Sequence, residues 1–298
     1  MDTFDDALAA LARFLAASRF AERGAVMTDL DGTAVHEVDG RALLSRSMEL
    51  GLKRVHDAGR QVLVNTLRFP LSVMRVFGAE WHRVTGDDVC LVSMKGSQVG
   101  RIVTSPGGGM AFEEIAAFPL APAEIDEVMT GVRGIVASGG DDLLVFFYPR
   151  DWRAGELIWT ADEARVGHVR DKYRSASQVF SGPPAALEQR LRREAICMVF
   201  LLIDAPEDRL MAYQHTDKAR FVTHEGVDKR HGGEALAAHL GVSLADSIGA
   251  GDAEPDTFLD AVGFAVIVGN QSLAFKGRHG TVRVADPAAF GEMLSRIA

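Results

Sequence analysis

A doubly wound α/β protein, with a Rossmann-like parallel-sheet core interrupted by an inserted α/β domain, is the fold class that this sequence predicts. Three observations carry the prediction. Short apolar runs end in polar residues (Ala25-Val-Met-Thr28 before Asp29, Gln61-Val-Leu-Val-Asn65 before Thr66, Val89-Cys-Leu-Val-Ser93) and alternate with helix-length segments, the pattern of buried parallel strands and their crossovers. That pattern changes character in the middle of the chain and resumes after Val222. The chain has 298 residues, enough for two bodies that each bury a core.

Taken in order, Phe4, Leu8, Leu11 and Leu15 recur at helical spacing and predict an amphipathic helix over residues 3–20. The first strand leads through Asp29 and Asp31 to Gly32. A helix follows from Ser45 to Ala58, then the strand ending at Thr66, a helix opened by Pro70, and the strand Val89–Ser93. Gly107-Gly-Gly109 and Gly139-Gly-Asp-Asp142 punctuate the middle, where strands are expected at 99–104, 142–148 and 197–203 and helices near 122–132 and 184–194. The first pattern returns with a helix from about Gly232 to Leu240, the strand Asp246–Asp252, a further helix, the strand Phe264–Val268 and a weak last strand at 281–284. Residues 1–100 and 216–298 are therefore expected to form the core, and 101–215 the insertion.

Composition narrows the function. Apolar residues make up 47% and charged residues 24%, as in an ordinary soluble protein. No apolar run approaches the roughly 20 residues that span a bilayer. The acidic start Met-Asp-Thr-Phe-Asp-Asp is unlike an export signal, so a cytoplasmic location is expected. The formal net charge of −9, without a cluster of Lys and Arg, argues against nucleic acid or anionic membranes as partners. Cys90 and Cys197 lie in apolar stretches and read as buried free thiols.

In open parallel sheets, ligands bind at the carboxyl ends of the strands. Asp29, Asp31, Thr66, Asp252 and Asp256 all fall at or just beyond such ends, and Lys229 lies at the start of the helix leading into the Asp252 strand. Four carboxylates in one crevice repel one another unless a cation joins them. All-oxygen ligation points to a hard divalent ion, Mg²⁺, together with substrate phosphate oxygens. Beside such an ion Asp29 can attack phosphorus, and Asp31 can exchange a proton with the leaving oxygen and then with water. Thr66 and Lys229 can hold the transferring group.

The motifs also resemble a known family. Thr28-Asp-Leu-Asp-Gly-Thr33 is similar to the first motif of haloacid dehalogenase-like phosphatases, Asn65-Thr-Leu-Arg68 to the second, Gly226-Val-Asp-Lys229 with Gly233 to the third, and Gly251-Asp-Ala-Glu-Pro-Asp256 to the fourth. Val92-Ser-Met-Lys-Gly-Ser97 and Val268-Gly-Asn270 resemble stretches of its Cof-type branch. The resemblance implies an aspartyl-phosphate enzyme in which Asp29, Asp252 and the backbone carbonyl of Asp31 hold Mg²⁺, while Asp256 supports the metal waters and Lys229. It implies that the insertion is an α/β cap that selects a small phosphorylated metabolite, a phosphorylated sugar first. Three positions depart from the family: Leu67 for Gly, Pro255 for Asn and Lys95 for Asn. Arg68, Lys95, Asn270 and, in the cap, Arg170 and Lys172 are the candidate substrate contacts.

Plainer readings compete. The first two aspartates could cap a helix, Thr66 could merely end a strand, and Arg68 could be a surface cation. The run Arg165, His168, Arg170, Lys172, Arg174 reads first as a solvated basic face. Trp152, Trp159 and Tyr148 read as cap core, and His36 as a loop residue near the cleft. A phosphomutase using the same intermediate, and a non-catalytic binding protein, remain as alternatives to a hydrolase.

Overall fold

A computed structural model describes residues 3–38, 41–105, 107–140, 142–203 and 219–297. The chain divides into two compact units, one of residues 1–116 and 227–298, the other of residues 117–226. The expected return from the insertion, at 215/216, lies outside the described residues. The first boundary falls later than 100/101 because the strands after residue 97 belong to the core sheet.

In the first unit the strands are β1 (Ala25–Thr28), β2 (Val35–Val38), β3 (Arg41–Leu44), β4 (Gln61–Asn65), β5 (Val89–Ser93), β6 (Gln98–Thr104) and β7 (Met110–Ala117). The second unit holds β8 (Leu143–Pro149), β9 (Leu157–Thr160), β10 (Gln178–Ser181), β11 (Ile196–Ile203) and β12 (Ala219–Val222), and the first resumes with β13 (Ile248–Gly251), β14 (Phe264–Val268) and β15 (Gly280–Val284). The core sheet has the order β15-β14-β13-β1-β4-β5-β6-β7. From β15 to β5 all pairs are parallel, and β6 runs antiparallel to β5. β1, β5 and β14 are buried along their whole length, as strands covered on both faces must be.

Local chemistry sets the helix ends. Ser45 caps Arg46–Asp57 by accepting from the Met48 amide, and Asp228 caps Lys229–Leu240 by accepting from the His231 amide. The latter helix begins three residues earlier than its apolar pattern suggests, because the cap and not the first apolar residue decides its start. The N-terminal helix, Phe4–Ala17, opens with a capping box at Thr3 and buries Ala7, Leu11 and Phe14. Phe14 stacks on Phe264 of β14 at 5.4 Å between ring centroids. β2 and β3 form an antiparallel hairpin directly after the first motif; His36 lies on its first strand, half-buried, and not in a loop.

The second unit is mostly antiparallel, in the order β10-β9-β8-β11-β12, with one parallel pair, β10 and β9. The βαβ character expected for this stretch is thus confined to that pair. The helices Pro122–Ala137 and Pro184–Arg193 supply Val128, Met129, Val132, Leu187 and Leu191 to a core around Trp159 and Phe147. Trp159 and Tyr148 are core residues, whereas Trp152 is half-buried beneath the Arg153 guanidinium. Cys90 and Cys197 are buried free thiols, and burial pushes the Cys90 thiol up to about 11. Among the described residues no helix is long and apolar enough to cross a membrane.

Candidate active site

The parallel register decides which residues meet. Thr28 of β1 is level with Val64 of β4 and Ala250 of β13, so Asp29 leaves the sheet between the strands that deliver Thr66 and Asp252. The Asp29 amide still donates to the Ala250 carbonyl at 3.0 Å, which extends the ladder by one bond and holds the side chain at the strand end.

Lys229 is buried (2% exposed) yet charged groups surround its ammonium, with Asp29 Oδ1 at 2.7 Å and Asp256 Oδ1 at 2.6 Å. The other Asp256 oxygen accepts from the amides of Asp252 and Ala253 at 2.9 and 3.0 Å. Both oxygens of this fully buried carboxylate therefore have partners in the protein. Asp252 is half-buried, and Thr33 donates its hydroxyl to Asp252 Oδ1 at 2.7 Å. Gly32, at φ +78°, makes the turn that brings Thr33 there, and a Cβ at this position would overlap the Asp252 carboxylate.

Asp29, Asp252 and Asp256 form a group whose carboxylate oxygens lie within 4.8 Å of one another. Three carboxylates share one ammonium, so the cluster carries more negative than positive charge. Burial pushes the Asp29 carboxyl up to about 7 against the pull of Lys229, with Asp256 adding to the rise. Burial also raises Asp252. Burial works against the Lys229 ammonium, but the two carboxylates outweigh it and hold its pKa above the usual lysine value. The site is short of positive charge, and its donors are all oxygen.

The Asp31 side chain turns elsewhere. Arg68 grips it with two parallel bonds, Nε to Oδ2 at 2.7 Å and Nη2 to Oδ1 at 2.6 Å, and donates from Nη1 to Ser72 Oγ at 3.0 Å. Arg68 is thus neither a free surface cation nor committed to a ligand. Thr66 is buried, and its hydroxyl accepts from the Arg68 amide at 3.2 Å, which tightens the turn despite Leu67 in place of glycine.

After β5 the chain makes a tight turn in which Met94 (φ +50°) and Lys95 (φ +58°) are both left-handed, a conformation that costs a non-glycine residue roughly 1–2 kcal/mol. Backbone bonds hold it: the Met94 amide donates to the Arg68 carbonyl at 3.1 Å and the Lys95 amide to the Thr66 carbonyl at 3.3 Å. Gly96, at φ +99°, presses on the start of the Lys229 helix, where a Cβ would overlap the Asp228 carbonyl oxygen. Gly96→Ala is expected to cost on the order of 3 kcal/mol, strain and overlap together. It should appear as a lower urea midpoint with an unchanged slope.

The chain thus gathers Asp29, Thr66, Lys229, Asp252 and Asp256 at the strand ends, with Arg68 and Asp31 paired beside them and Lys95 on the adjoining turn. Asn270 is exposed just beyond β14. Arg170 and Lys172 belong to the second unit, exposed on the short helix Val166–Lys172. Sequence reasoning passed over three residues. Thr33 and Ser72 hold Asp252 and Arg68, and Asn65, fully buried, donates from Nδ2 to the Lys229 carbonyl at 2.8 Å. A polar residue at the end of a buried strand was the one signal for Asn65; nothing in the sequence names its partner.

The sequence matches no protein-family model and no curated protein. Solved structures are similar over nearly the whole chain. A phosphatase of the haloalkanoate (HAD) enzyme superfamily from Bacteroides thetaiotaomicron is 16% identical, with TM-score 0.62, over 92% of this chain and 94% of that one. A subclass IIB sugar phosphatase of the HAD superfamily is 16% identical, TM-score 0.64, over 91% and 96%. A haloacid dehalogenase-like hydrolase from B. subtilis is 16% identical, TM-score 0.57, over 92% and 99%. The chain has the fold of the HAD superfamily phosphatases. Within that fold its similarity extends to a subclass IIB sugar phosphatase.

Proposed function

We propose that the protein is a Mg²⁺-dependent phosphomonoester hydrolase that acts on a small phosphorylated metabolite, a phosphorylated sugar first, through an aspartyl-phosphate formed on Asp29. The observation that carries this reading is the buried Asp29–Lys229–Asp256 ion triad at the carboxyl ends of a parallel sheet, with Asp252 in reach of the same cation. The donor set fits Mg²⁺: oxygen only, clustered, and short of positive charge. Asp29, Asp252 and the Asp31 carbonyl would hold the ion, with Asp256 behind them. When bound, it neutralises charge on the phosphoryl oxygens.

The remaining steps belong to side chains. Asp29 attacks phosphorus in line with the departing ester oxygen, and Asp31 gives that oxygen its proton. Asp31 then takes a proton from the water that cleaves the phosphoaspartate, releasing inorganic phosphate and restoring Asp29. Thr66 donates to a phosphoryl oxygen. Lys229 holds Asp29 in place and balances charge as it moves onto the phosphoryl group. Arg68 holds the Asp31 carboxylate through two bonds and must release it before Asp31 exchanges protons with the substrate. The unit of residues 117–226 serves as the cap that reads the leaving group, with Arg170 and Lys172 as its first candidates. The work takes place in the cytoplasm, where both cysteines stay reduced.

Release of phosphate from an aryl phosphate tests the reading. Mg²⁺ should support turnover, EDTA abolish it and fresh Mg²⁺ restore it; full activity after exhaustive chelation would exclude this mechanism. Mg²⁺ at a hundredfold over its Kd is also expected to stabilise the metal-free protein by about 2.7 kcal/mol, read as a higher Tm without any substrate. A need for a bisphosphate activator would point to a mutase.

A further inference from the structure

Among the described residues Lys229, Arg68 and Lys95 are cations beside the strand ends that carry Asp29 and Thr66, and the first two have fixed work. Lys229 is held by Asp29 and Asp256, and Arg68 by Asp31 and Ser72. The third, Lys95, is half-buried, and its ammonium has no hydrogen bond or ion pair among the described residues. In a chain of net charge −9, a sheltered ammonium without a carboxylate is conspicuous, since a nearby Asp or Glu would have been easy to supply.

Its backbone adds a second, independent observation. Lys95 follows another left-handed non-glycine residue, in a turn bonded to the Thr66 carbonyl on one side and pressed on the Asp228–Lys229 junction on the other. Strain of this kind persists where the surroundings hold it, and it gathers at ligand sites. The turn therefore carries an uncommitted cation between the two elements that would hold the phosphoryl group.

We propose that Lys95 binds a second anionic group on the substrate, so that the preferred substrates are phosphorylated compounds bearing a carboxylate or another phosphate. This rests on the hydrolase reading and narrows its substrate class. A point-like ammonium suits either anion, because it imposes no bidentate geometry. A phosphorylated sugar acid or a sugar bisphosphate meets the requirement, and a neutral sugar monophosphate does not.

The test compares matched pairs that differ by one anion: phosphogluconate with sorbitol phosphate, and fructose bisphosphate with fructose monophosphate. The wild type is expected to favour an anionic member by about tenfold or more in kcat/KM, mostly through KM. The pair that shows the preference identifies carboxylate or phosphate as the anion. Lys95→Asn should bring the ratio to near one, and Lys95→Arg should retain most of it. Asparagine tolerates the left-handed backbone, so the turn is kept; if that variant folds poorly, Lys95→Gly removes the ammonium with less strain. A wild type that treats both members of both pairs alike, or a ratio that survives loss of the ammonium, overturns the proposal. Those outcomes leave phosphate release intact, whereas failure on every substrate and on the aryl phosphate would overturn the hydrolase reading itself.

Discussion

Asp29→Asn is expected to abolish turnover, lowering kcat by about 10⁴-fold or more, as loss of a nucleophile does in other covalent enzymes. The amide keeps the shape of the carboxylate and cannot attack phosphorus. It also removes one negative charge from a cluster already short of positive charge, so the folded state should survive. The Asp29 carboxyl sits near 7, raised first by burial, and a neutral side chain is therefore no great disturbance there. A single-turnover assay with aryl phosphate, beside a thermal melt, separates the two effects. Activity within tenfold of the wild type would remove Asp29 as nucleophile.

Lys229→Met is expected to damage both activity and stability. Methionine fills similar volume, but it leaves Asp29 and Asp256 buried at the same point with no cation between them. Breaking a buried ion pair on one side costs roughly 3–5 kcal/mol. The loss should have a pH signature. Burial already raises the Asp29 carboxyl in the folded chain, and loss of the ammonium removes the pull that opposes that rise. A carboxyl raised in this way favours the fold below its unfolded pKa, and that advantage fades as pH rises through the folded one. The deficit relative to wild type should therefore be small in acid and grow towards neutral pH. A deficit equal at pH 4 and pH 7.5 would mean that lost packing, and not uncompensated charge, is the cause. Wild-type Lys229, its pKa raised by the same carboxylates, keeps its contribution until pH passes above the usual lysine range.

These two residues show how much of the site was legible. Asp29 could be read because a buried strand ending in a carboxylate is a local pattern, and strand ends in parallel sheets converge. The pairing of Lys229 with Asp256 follows only from the family resemblance, since the spacing of residues 229 and 256 says nothing of a 2.6 Å contact. Asn65 and Thr33 escaped for the same reason: each acts on a partner 164 or 219 positions away. In the sequence Arg68 reads as either a surface or a substrate cation, whereas in the structure it holds the side chain of Asp31.

The fold divides in the same way. The sequence by itself determined the alternation of buried strands with helices, the first, second and fourth motif positions and the interruption in the middle of the chain, because these depend on periodicities and caps spanning only a few residues. It did not decide that β6 and β7 extend the core sheet past residue 100, or that the second unit is largely antiparallel. Strand partners are chosen by contacts between distant segments, and an apolar strand of either orientation looks alike in one dimension. Nor could it reveal that the Lys95 ammonium has no partner among the described residues. Whether a charge is compensated depends on every group that folding brings near it, and only the tertiary structure contains that information.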